Sequence, residues 1–440
     1  MQLRQFVPSE YCGKCDVCCR FLDKETALAP TNRNLHPYKD RFVCVDFDPY
    51  TNKCKNYDNR PIDCRIYPFV VMYDEGYKNV VLGLDPKCPY ITNHRLSVAN
   101  YQSYLFPALK DIAPQYISRF QNDIFILKKL KTLTKNILKG KPVLRKLLIG
   151  DKTLFERYIA NIDKPFSTYS FIANYIWTDL LDYYWTLIDD SLCLFCKTNG
   201  TIFMPLLPIP SHRKCLTKKV IRKCFELMAK FNKNKDCSRI EDISKKDLTF
   251  FEDLGYKTKK KGCEYICGQK ELANLSGDKY KAKRALYNYF VKNYKFQYRE
   301  FKNQDSQDCI RLFRHWAKGR SAVYKNNYYG ALLEDSYLAH KKAMERYEEL
   351  KLIGRVVVID NKISAYTFGY ELDKETFVIL FEISDLNIKG LSQFIFREFC
   401  RELDKFKYIN LMDDSGLENL RKTKLSYRPI RIEETFCAYG

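Results

Sequence analysis

The residues whose types and spacing best suit chemistry lie near the C-terminus, where an acidic turn separates a short apolar run from a basic helix. Residues 408–411 predict a strand and residues 417–424 a helix, while Asp413 and Asp414 fall in a turn that offers helix-capping side chains. A carboxylate in such a turn can hold an incoming ammonium group. The alternative is a solvated turn, since acidic turns precede many helices.

Acyl transfer to an amine or hydroxyl needs a base for the nucleophile and a site for the leaving group. Glu382 lies on a mostly apolar predicted strand, where burial would raise the pKa of its carboxyl group toward that of a base. Arg421 and Lys424 share one predicted helix face and can meet a phosphate or ester oxygen. In the alternative, Glu382 only pairs with Lys389, and Arg421 only pairs with Glu418.

The order of motifs here resembles the phosphatidylglycerol lysyltransferase C-terminal domain family, a tandem pair of GNAT-like acyltransferase folds. The matching motifs are Asn410, Asp413-Asp-Ser-Gly416, Leu420-Arg-Lys-Thr-Lys424 and Ser426-Tyr-Arg-Pro429. Residues 271–284 resemble the basic linker of that family, and residues 381–390 resemble its central strand and the start of the following helix. The resemblance extends from about Leu144 to Cys437.

The resemblance implies a set of site residues. It implies that catalysis uses Glu382, Asn410, Asp413 and Asp414. It also implies that substrate is bound by basic and aromatic side chains, namely Lys279, Lys283, Arg284, Lys389, Arg421, Lys424 and Tyr427. The second GNAT-like half would then be the catalytic one.

The sequence indicates the acyl donor through a phosphate-binding loop that it lacks. Acetyl-coenzyme A, the usual donor of GNAT enzymes, needs a glycine-rich phosphate loop at a helix start. The matching residues 387–392 contain one glycine, Gly390, so the chain has no clear coenzyme A loop. Aminoacyl-tRNA, the donor of the resembled lysyltransferases, fits this loss. Those lysyltransferases also carry a large membrane-embedded region where this chain has cysteines, so the acceptor stays open.

Charge is unevenly distributed along the 440 residues, whose net charge is +22. Residues 1–100 carry a net charge of +2 and the remainder +20. Residues 257–284 hold nine Lys or Arg against three acids, and they predict a track for a polyanion such as tRNA or anionic lipid headgroups. The alternative is that the charge serves solubility.

Eight of the eighteen cysteines lie in the first 88 residues. Such dense clustering favours metal ligation over disulfides in a reducing compartment. These cysteines and Arg60-Pro-Ile-Asp-Cys-Arg-Ile-Tyr-Pro-Phe69 resemble the Cys-x-x-Cys-x-x-Cys-Cys zinc- or iron-chelating domain family. The compact spacing favours an iron–sulfur cluster, with structural zinc as the alternative. The candidate ligands are Cys12, Cys15, Cys18, Cys19, Cys44, Cys54, Cys64 and Cys88.

The expected fold class is α+β or α/β, with a small cysteine-rich metal-binding module followed by two GNAT-like domains. The expected divisions are a module at residues 1–95, a helical basic linker at 96–143, and GNAT-like domains at 144–278 and 279–440. In the linker, Leu127, Leu130, Leu133 and Ile137 fall on one face of a predicted amphipathic helix. No signal peptide or membrane span is expected, which predicts a cytoplasmic protein.

We therefore expect an acyltransferase that transfers an aminoacyl group from tRNA to an unidentified acceptor and carries a metal in its N-terminal module. One alternative is a non-catalytic or redox-sensing zinc or iron–sulfur protein whose acyltransferase halves only bind a partner. Another alternative is a coenzyme A-dependent N-acyltransferase. The sequence predicts neither the amino acid nor the oligomeric state.

Overall fold

The computed structural model divides into two compact units, residues 1–143 and residues 144–440. The structure describes residues 6–12, 15, 17, 19–21, 35–39, 41–93, 98, 101–102, 104–106, 109, 112, 116–121, 123–138, 144–160, 162–163, 166–211, 216–233, 237–323 and 327–440.

The first unit is built from short strands and helices. Its helices are α1 (Ser9–Cys12), α2 (Ile62–Ile66), α3 (Pro89–Asn93) and α4 (Lys131–Leu138). Its strands are β1 (Arg20–Phe21), β2 (Leu35–Tyr38), β3 (Arg41–Cys44), β4 (Phe47–Asp48), β5 (Lys53–Cys54), β6 (Phe69–Tyr73), β7 (Val80–Leu84) and β8 (Phe125–Lys129). The strands form three separate antiparallel sheets: β1-β3-β2, β4-β5 and β6-β7-β8. Aromatic rings of Phe6, Phe69 and Tyr101 pack together in its core, with ring centroids 5.0–5.3 Å apart.

The predicted start of the amphipathic helix in the linker is wrong. Leu127 lies in β8, which pairs with β7, and the helix α4 begins only at Lys131. Residues 125–129 do not show the apolar–polar alternation that is typical of a strand. They are extended because they pair with the buried strand β7.

The second unit begins with a smaller sheet, in the order β12-β11-β10-β9 with β13 paired to β11. Helix α7 packs on this sheet through Val220, Ile221 and Cys224, which contact the buried face of β11. The elements of this part are β9 (Arg145–Lys146), α5 (Lys152–Ile159), α6 (Phe171–Tyr175), β10 (Asp182–Ile188), β11 (Ser191–Thr198), β12 (Thr201–Phe203), β13 (Ile209–Pro210) and α7 (Lys218–Phe231).

The larger sheet of the second unit has eight strands in the order β14-β21-β15-β20-β19-β18-β17-β16. They are β14 (Arg239–Ser244), β15 (Lys257–Gly268), β16 (Gln297–Glu300), β17 (Ile353–Ile359), β18 (Lys362–Glu371), β19 (Thr376–Ser384), β20 (Tyr408–Asn410) and β21 (Arg431–Tyr439). The C-terminal strand β21 lies between β14 and β15, so the sheet crosses the expected boundary between residues 278 and 279. That boundary stays a proposal.

Helices cover this sheet on both faces. They are α8 (Leu248–Glu252), α9 (Gln269–Asn274), α10 (Lys281–Asn293), α11 (Ser306–Val323), α12 (Asn327–Glu345), α13 (Tyr347–Leu350), α14 (Leu391–Glu402) and α15 (Glu418–Leu425). Helix α14 packs on one face through Phe396, Phe399 and Cys400, and α11 packs on the other through Cys309 and Phe313. The strand, turn and helix expected over residues 408–424 are present as β20 and α15.

One pair of strands in this sheet is parallel. Strands β19 and β20 pair only from Thr376–Tyr408 to Val378–Asn410, and the pairing ends there. Strand β19 continues for six more residues, with a register shift against β18 near Phe368 and Gly369. A gap between two parallel strands therefore opens after Val378 and Asn410. Within the described ranges, no helix is both long and apolar enough to span a membrane.

Candidate functional site

A buried carboxylate that the sequence analysis missed stands beside the end of β20. Glu264 on β15 is 3% exposed, and its Oε2 accepts the Asn410 amide at 2.6 Å. The backbone N–H of Ser167 donates to Glu264 at 3.0 and 3.1 Å, and the Ser167 hydroxyl donates at 2.5 Å. Burial raises the pKa of Glu264 to about 7, against these hydrogen bonds, which lower it.

Asn410 fixes the chain as it leaves β20. Its Nδ2 binds Glu264, and its Oδ1 accepts the backbone N–H of Met412 at 2.7 Å. Met412 has a φ of 61°, a left-handed conformation that a side-chain hydrogen bond of this type supports. Asn410 was expected at the site, and the structure places it between Glu264 and the gap after β20.

The acidic turn and the helix after it are joined by Lys424. Its Nζ donates to the backbone carbonyl of Asp413. Burial lowers the pKa of Lys424, while the charges of Asp413, Glu264 and Asp414 act in the opposite direction. Asp414 accepts the Tyr265 hydroxyl at 2.5 Å and the N–H of Gly416 at 3.0 Å. Asp414 thus organises the turn, whereas the Asp413 side chain is exposed.

Glu382 and Lys283 form a second group, near the part of β19 that extends beyond β20. Burial raises the pKa of Glu382 to about 8, and the charge of Lys283 partly offsets that rise. Burial also lowers the pKa of Lys283 to about 8, with Glu382 opposing it. The Lys283 ammonium lies 3.5 Å from the ring centroid of Tyr427, which is buried. The structure therefore brings together three of the expected site residues.

The backbone around Tyr427 is held by neighbouring side chains. Its carbonyl accepts the Tyr280 hydroxyl at 2.9 Å and the Cys267 thiol at 3.7 Å. The pairing of Glu382 with Lys389 that was considered as an alternative is not seen among the described contacts. The Lys389 ammonium instead lies 4.7 Å from the ring centroid of Tyr289.

The other expected substrate-binding residues lie outside these two groups. Lys279 forms an ion pair with Glu271 at 3.2 Å. Arg284 donates to the backbone carbonyls of Leu275 and Gly277 at the end of α9. Arg421 is exposed on α15, and Glu418 pairs with Lys422 at 3.6 Å.

Gly390 serves close packing of two helices. It has a φ of 85°, and a Cβ at this position would lie 2.1 Å from the carbonyl oxygen of Leu286 on α10. Only glycine fits there, because any side chain would clash with that backbone. The start of α14 is thus covered by α10.

In the first unit, six of the eight candidate ligands line one cavity of about 570 Å³: Cys12, Cys15, Cys19, Cys44, Cys54 and Cys64. Cys88 is buried and does not line this cavity. Cys18 lies outside the described residues. Among the residues that are described, no group of three or more His, Cys, Asp or Glu side chains is arranged to hold a metal ion. The thiol-rich lining nevertheless has the donor chemistry that zinc and iron–sulfur clusters use.

Comparison with known proteins gives two family matches. Residues 160–439 match the family "Phosphatidylglycerol lysyltransferase, C-terminal". Residues 11–89 match the family "Putative zinc- or iron-chelating domain", named CxxCxxCC, which supports metal binding by the first unit. A search of curated proteins found no match.

Solved structures resemble the second unit. A conserved protein of unknown function from Bacteroides thetaiotaomicron shares 26% identity over 68% of this chain and 99% of its own, with a TM-score of 0.61. L-PGS from Bacillus licheniformis shares 16% identity over 60% of this chain and 85% of its own, with a TM-score of 0.42. The expected fold class, α+β or α/β with a cysteine-rich module before two GNAT-like folds, is confirmed. The chain belongs to the phosphatidylglycerol lysyltransferase C-terminal family, a family of acyltransferases.

Proposed function

We propose that the protein transfers an aminoacyl group from tRNA to an acceptor, using the gap between β19 and β20. The observation that carries this proposal is the Glu382–Lys283 pair beside that gap, with Glu382 at a pKa of about 8. A carboxylate with such a pKa can accept a proton near neutral pH and still be ionised in a useful fraction of molecules.

The chemistry follows from the aminoacyl ester. The acceptor's nucleophile bonds to the acyl carbon, the ester bond to the tRNA 3′ oxygen breaks, and that oxygen leaves as a hydroxyl. Glu382 takes the proton of the nucleophile and returns it to the leaving oxygen. The edge of β19 beyond Val378 is not paired with β20, so its backbone can face the developing oxyanion.

The acidic turn suits the amino group of the donor. The Asp413 side chain is exposed three residues after the end of β20, and it can hold the ammonium of an aminoacyl group. Asn410 and Glu264 hold the start of the turn in place. Glu264 and Ser167 are therefore positioning residues in this proposal, while Asp413 contacts substrate.

The basic joint supplies a surface for tRNA. On β15, Lys257 and Lys259 are exposed, whereas Lys261 is engaged with Glu241 and Asp242 at 2.8 Å. Lys257 and Lys259 can therefore contact tRNA phosphates, and such contacts give affinity that does not depend on the nucleotide sequence.

The experiment measures transfer from charged tRNA by the full chain and by Glu382→Gln. Loss of the base should lower the rate about 10²–10⁴-fold, while the matched change Glu226→Gln on the exposed face of α7 should leave it unchanged. Full activity of Glu382→Gln would contradict the assigned base. Consumption of acetyl-coenzyme A in place of charged tRNA would favour the coenzyme A-dependent alternative.

For the first unit we propose that Cys12, Cys15, Cys19, Cys44, Cys54 and Cys64 supply the ligands of zinc or an iron–sulfur cluster. The support is their shared cavity. Bound metal would cross-link the short elements of this unit, and a cluster would add one-electron redox chemistry. Elemental and acid-labile sulfide analysis of anaerobically purified protein identifies the metal, and absence of both metals would contradict the proposal.

A further inference from the structure

A large cavity lies over the same sheet as Glu264, within residues 144–440. Its volume is about 1160 Å³, somewhat above the range of about 300–1,000 Å³ that is usual for small-molecule sites. Its walls come from α5, residues 244–246 and the connection between β18 and β19. Its floor includes Ile266, Tyr370, Thr376 and Asn410, from four different strands.

Asn410 connects this cavity to the candidate site. It lines the cavity and donates to Glu264 at 2.6 Å. Tyr370 also lines the cavity, and its hydroxyl donates to the Ser167 carbonyl at 3.0 Å. Because the β19–β20 pairing ends at Asn410, a molecule on the cavity floor reaches the start of the gap.

The lining carries charges of both signs in equal number. Six Lys or Arg side chains and six Asp or Glu side chains face this space, although the whole chain has a net charge of +22. Several of them neutralise each other, as in the pairs Lys152–Glu156 at 3.1 Å and Lys246–Asp163 at 3.4 Å. An anionic ligand would therefore meet as many carboxylates as cations, unlike a ligand that carries both charges.

Two connections leave charges available to a ligand, the one between β18 and β19 and the one between α13 and β17. Lys351, Lys374 and Glu375 line the cavity and are exposed, and no ion pair is seen for them in the part of the chain that is described. Asp373 is occupied by the backbone N–H groups of Glu375 and Thr376, each at 2.8 Å. The cavity thus offers separate sites for a carboxylate and for an ammonium group.

We propose that this cavity binds the acceptor, and that the acceptor is a small zwitterion whose amine is the nucleophile. This inference rests on the proposed function and specifies its acceptor. The amine nitrogen bonds to the acyl carbon to form an amide, the ester bond to tRNA breaks, and the proton of the amine ends on the tRNA 3′ hydroxyl. The carboxylate of the acceptor lies near Lys351 and Lys374.

The test measures binding without any donor. Glycylglycine is titrated into the full chain by calorimetry, with inorganic phosphate and phosphatidylglycerol vesicles as the other probes. We expect saturable binding of the dipeptide. Ala160 lines the cavity and is exposed at the end of α5, so Ala160→Trp should place a bulky ring in part of the space without disturbing the core and weaken binding about tenfold or more. The matched control is Ala322→Trp on the exposed face of α11, which should bind as the wild type does.

The outcomes separate this inference from the proposed function. If charged tRNA is consumed with phosphatidylglycerol vesicles as acceptor and the dipeptide does not bind, the acceptor inference is wrong while the transferase proposal stands. Equal dipeptide binding by Ala160→Trp and the wild type would also overturn the inference, because the cavity would not be the binding site. If the dipeptide binds in the cavity and no charged tRNA is consumed, the acceptor site stands and the donor proposal fails.

Discussion

Replacing Glu264 by Gln tests whether this buried carboxyl group holds the candidate site together. Burial raises the pKa of Glu264 to about 7, so at pH 5 the wild-type group is a neutral acid with one hydrogen to donate. The amide group of the Gln variant has two hydrogens to donate. The second hydrogen must face a hydrogen-bond donor of Ser167 or Asn410. A buried donor without an acceptor costs about 1–3 kcal/mol. We expect the variant to lose about 2 kcal/mol in free energy of unfolding at pH 5.

The difference should depend on pH in a defined direction. Because the pKa of Glu264 is raised in the folded state, the folded protein binds more protons than the unfolded chain between about pH 4.5 and pH 7. Wild-type stability therefore falls as pH rises through this window, by up to about 3 kcal/mol. Gln does not titrate, so the difference of about 2 kcal/mol in free energy of unfolding between the two proteins should close between pH 5 and pH 8.

Urea titrations followed by tryptophan fluorescence measure this gap. All three tryptophans, Trp177, Trp185 and Trp316, lie in residues 144–440, so the signal reports on the second unit. The control is Glu434→Gln, which removes an exposed ion pair with Lys260 and should leave the free energy of unfolding nearly unchanged. A gap that stays constant with pH, or that the control reproduces, would refute the assigned role of Glu264.

Three further predictions concern the pair at the gap, the tRNA surface and the metal. The transfer rate should rise with pH up to about 8 as Glu382 ionises, and Lys283→Met should move that rise to higher pH because the lysine charge lowers the pKa of Glu382; initial rates from pH 6 to pH 9 measure this. Lys279→Glu should weaken tRNA binding and lower the slope of log affinity against log salt concentration by about one unit. Arg284→Glu should mainly lower thermal stability, because Arg284 binds backbone carbonyls. Filter binding at several salt concentrations and thermal melts distinguish the two variants. Cys64→Ser should lose metal and Cys88→Ser should retain it, because only Cys64 lines the thiol-rich cavity; elemental analysis decides.

The local part of the fold could be predicted from the sequence. The β17–β18 hairpin follows from a β-branched run ending at Asp360 and Asn361, which take φ values of 49° and 59° as a tight hairpin turn requires. The acidic turn and α15 lie where the sequence predicts them, but the expected capping is wrong, because the N-cap residue is Leu417 and no side chain caps the helix. These features depend on residues close together in sequence, which is where pattern and propensity act.

The long-range part of the site could not be predicted. Glu264 binds Ser167 and Asn410, which lie 97 and 146 residues away in the sequence. A single Glu in the apolar run Cys263–Cys267 was the one signal available, and it does not name its partners. The helix predicted at Leu127 is wrong for the same reason, because pairing with β7 outweighs the helical spacing of its apolar residues.

The position of β21 determines when the second unit can complete its fold. Lys260 on β15 contacts Glu434 on β21 although 174 residues separate them. Both neighbours of β15, the strands β20 and β21, are synthesised long after β15 itself. Non-local pairing of this kind slows folding and leaves strand edges open to aggregation in the meantime. Until those strands are synthesised, β15, the longest strand of residues 144–278, lacks both of its sheet neighbours, and its two edges stay open to pairing with other chains.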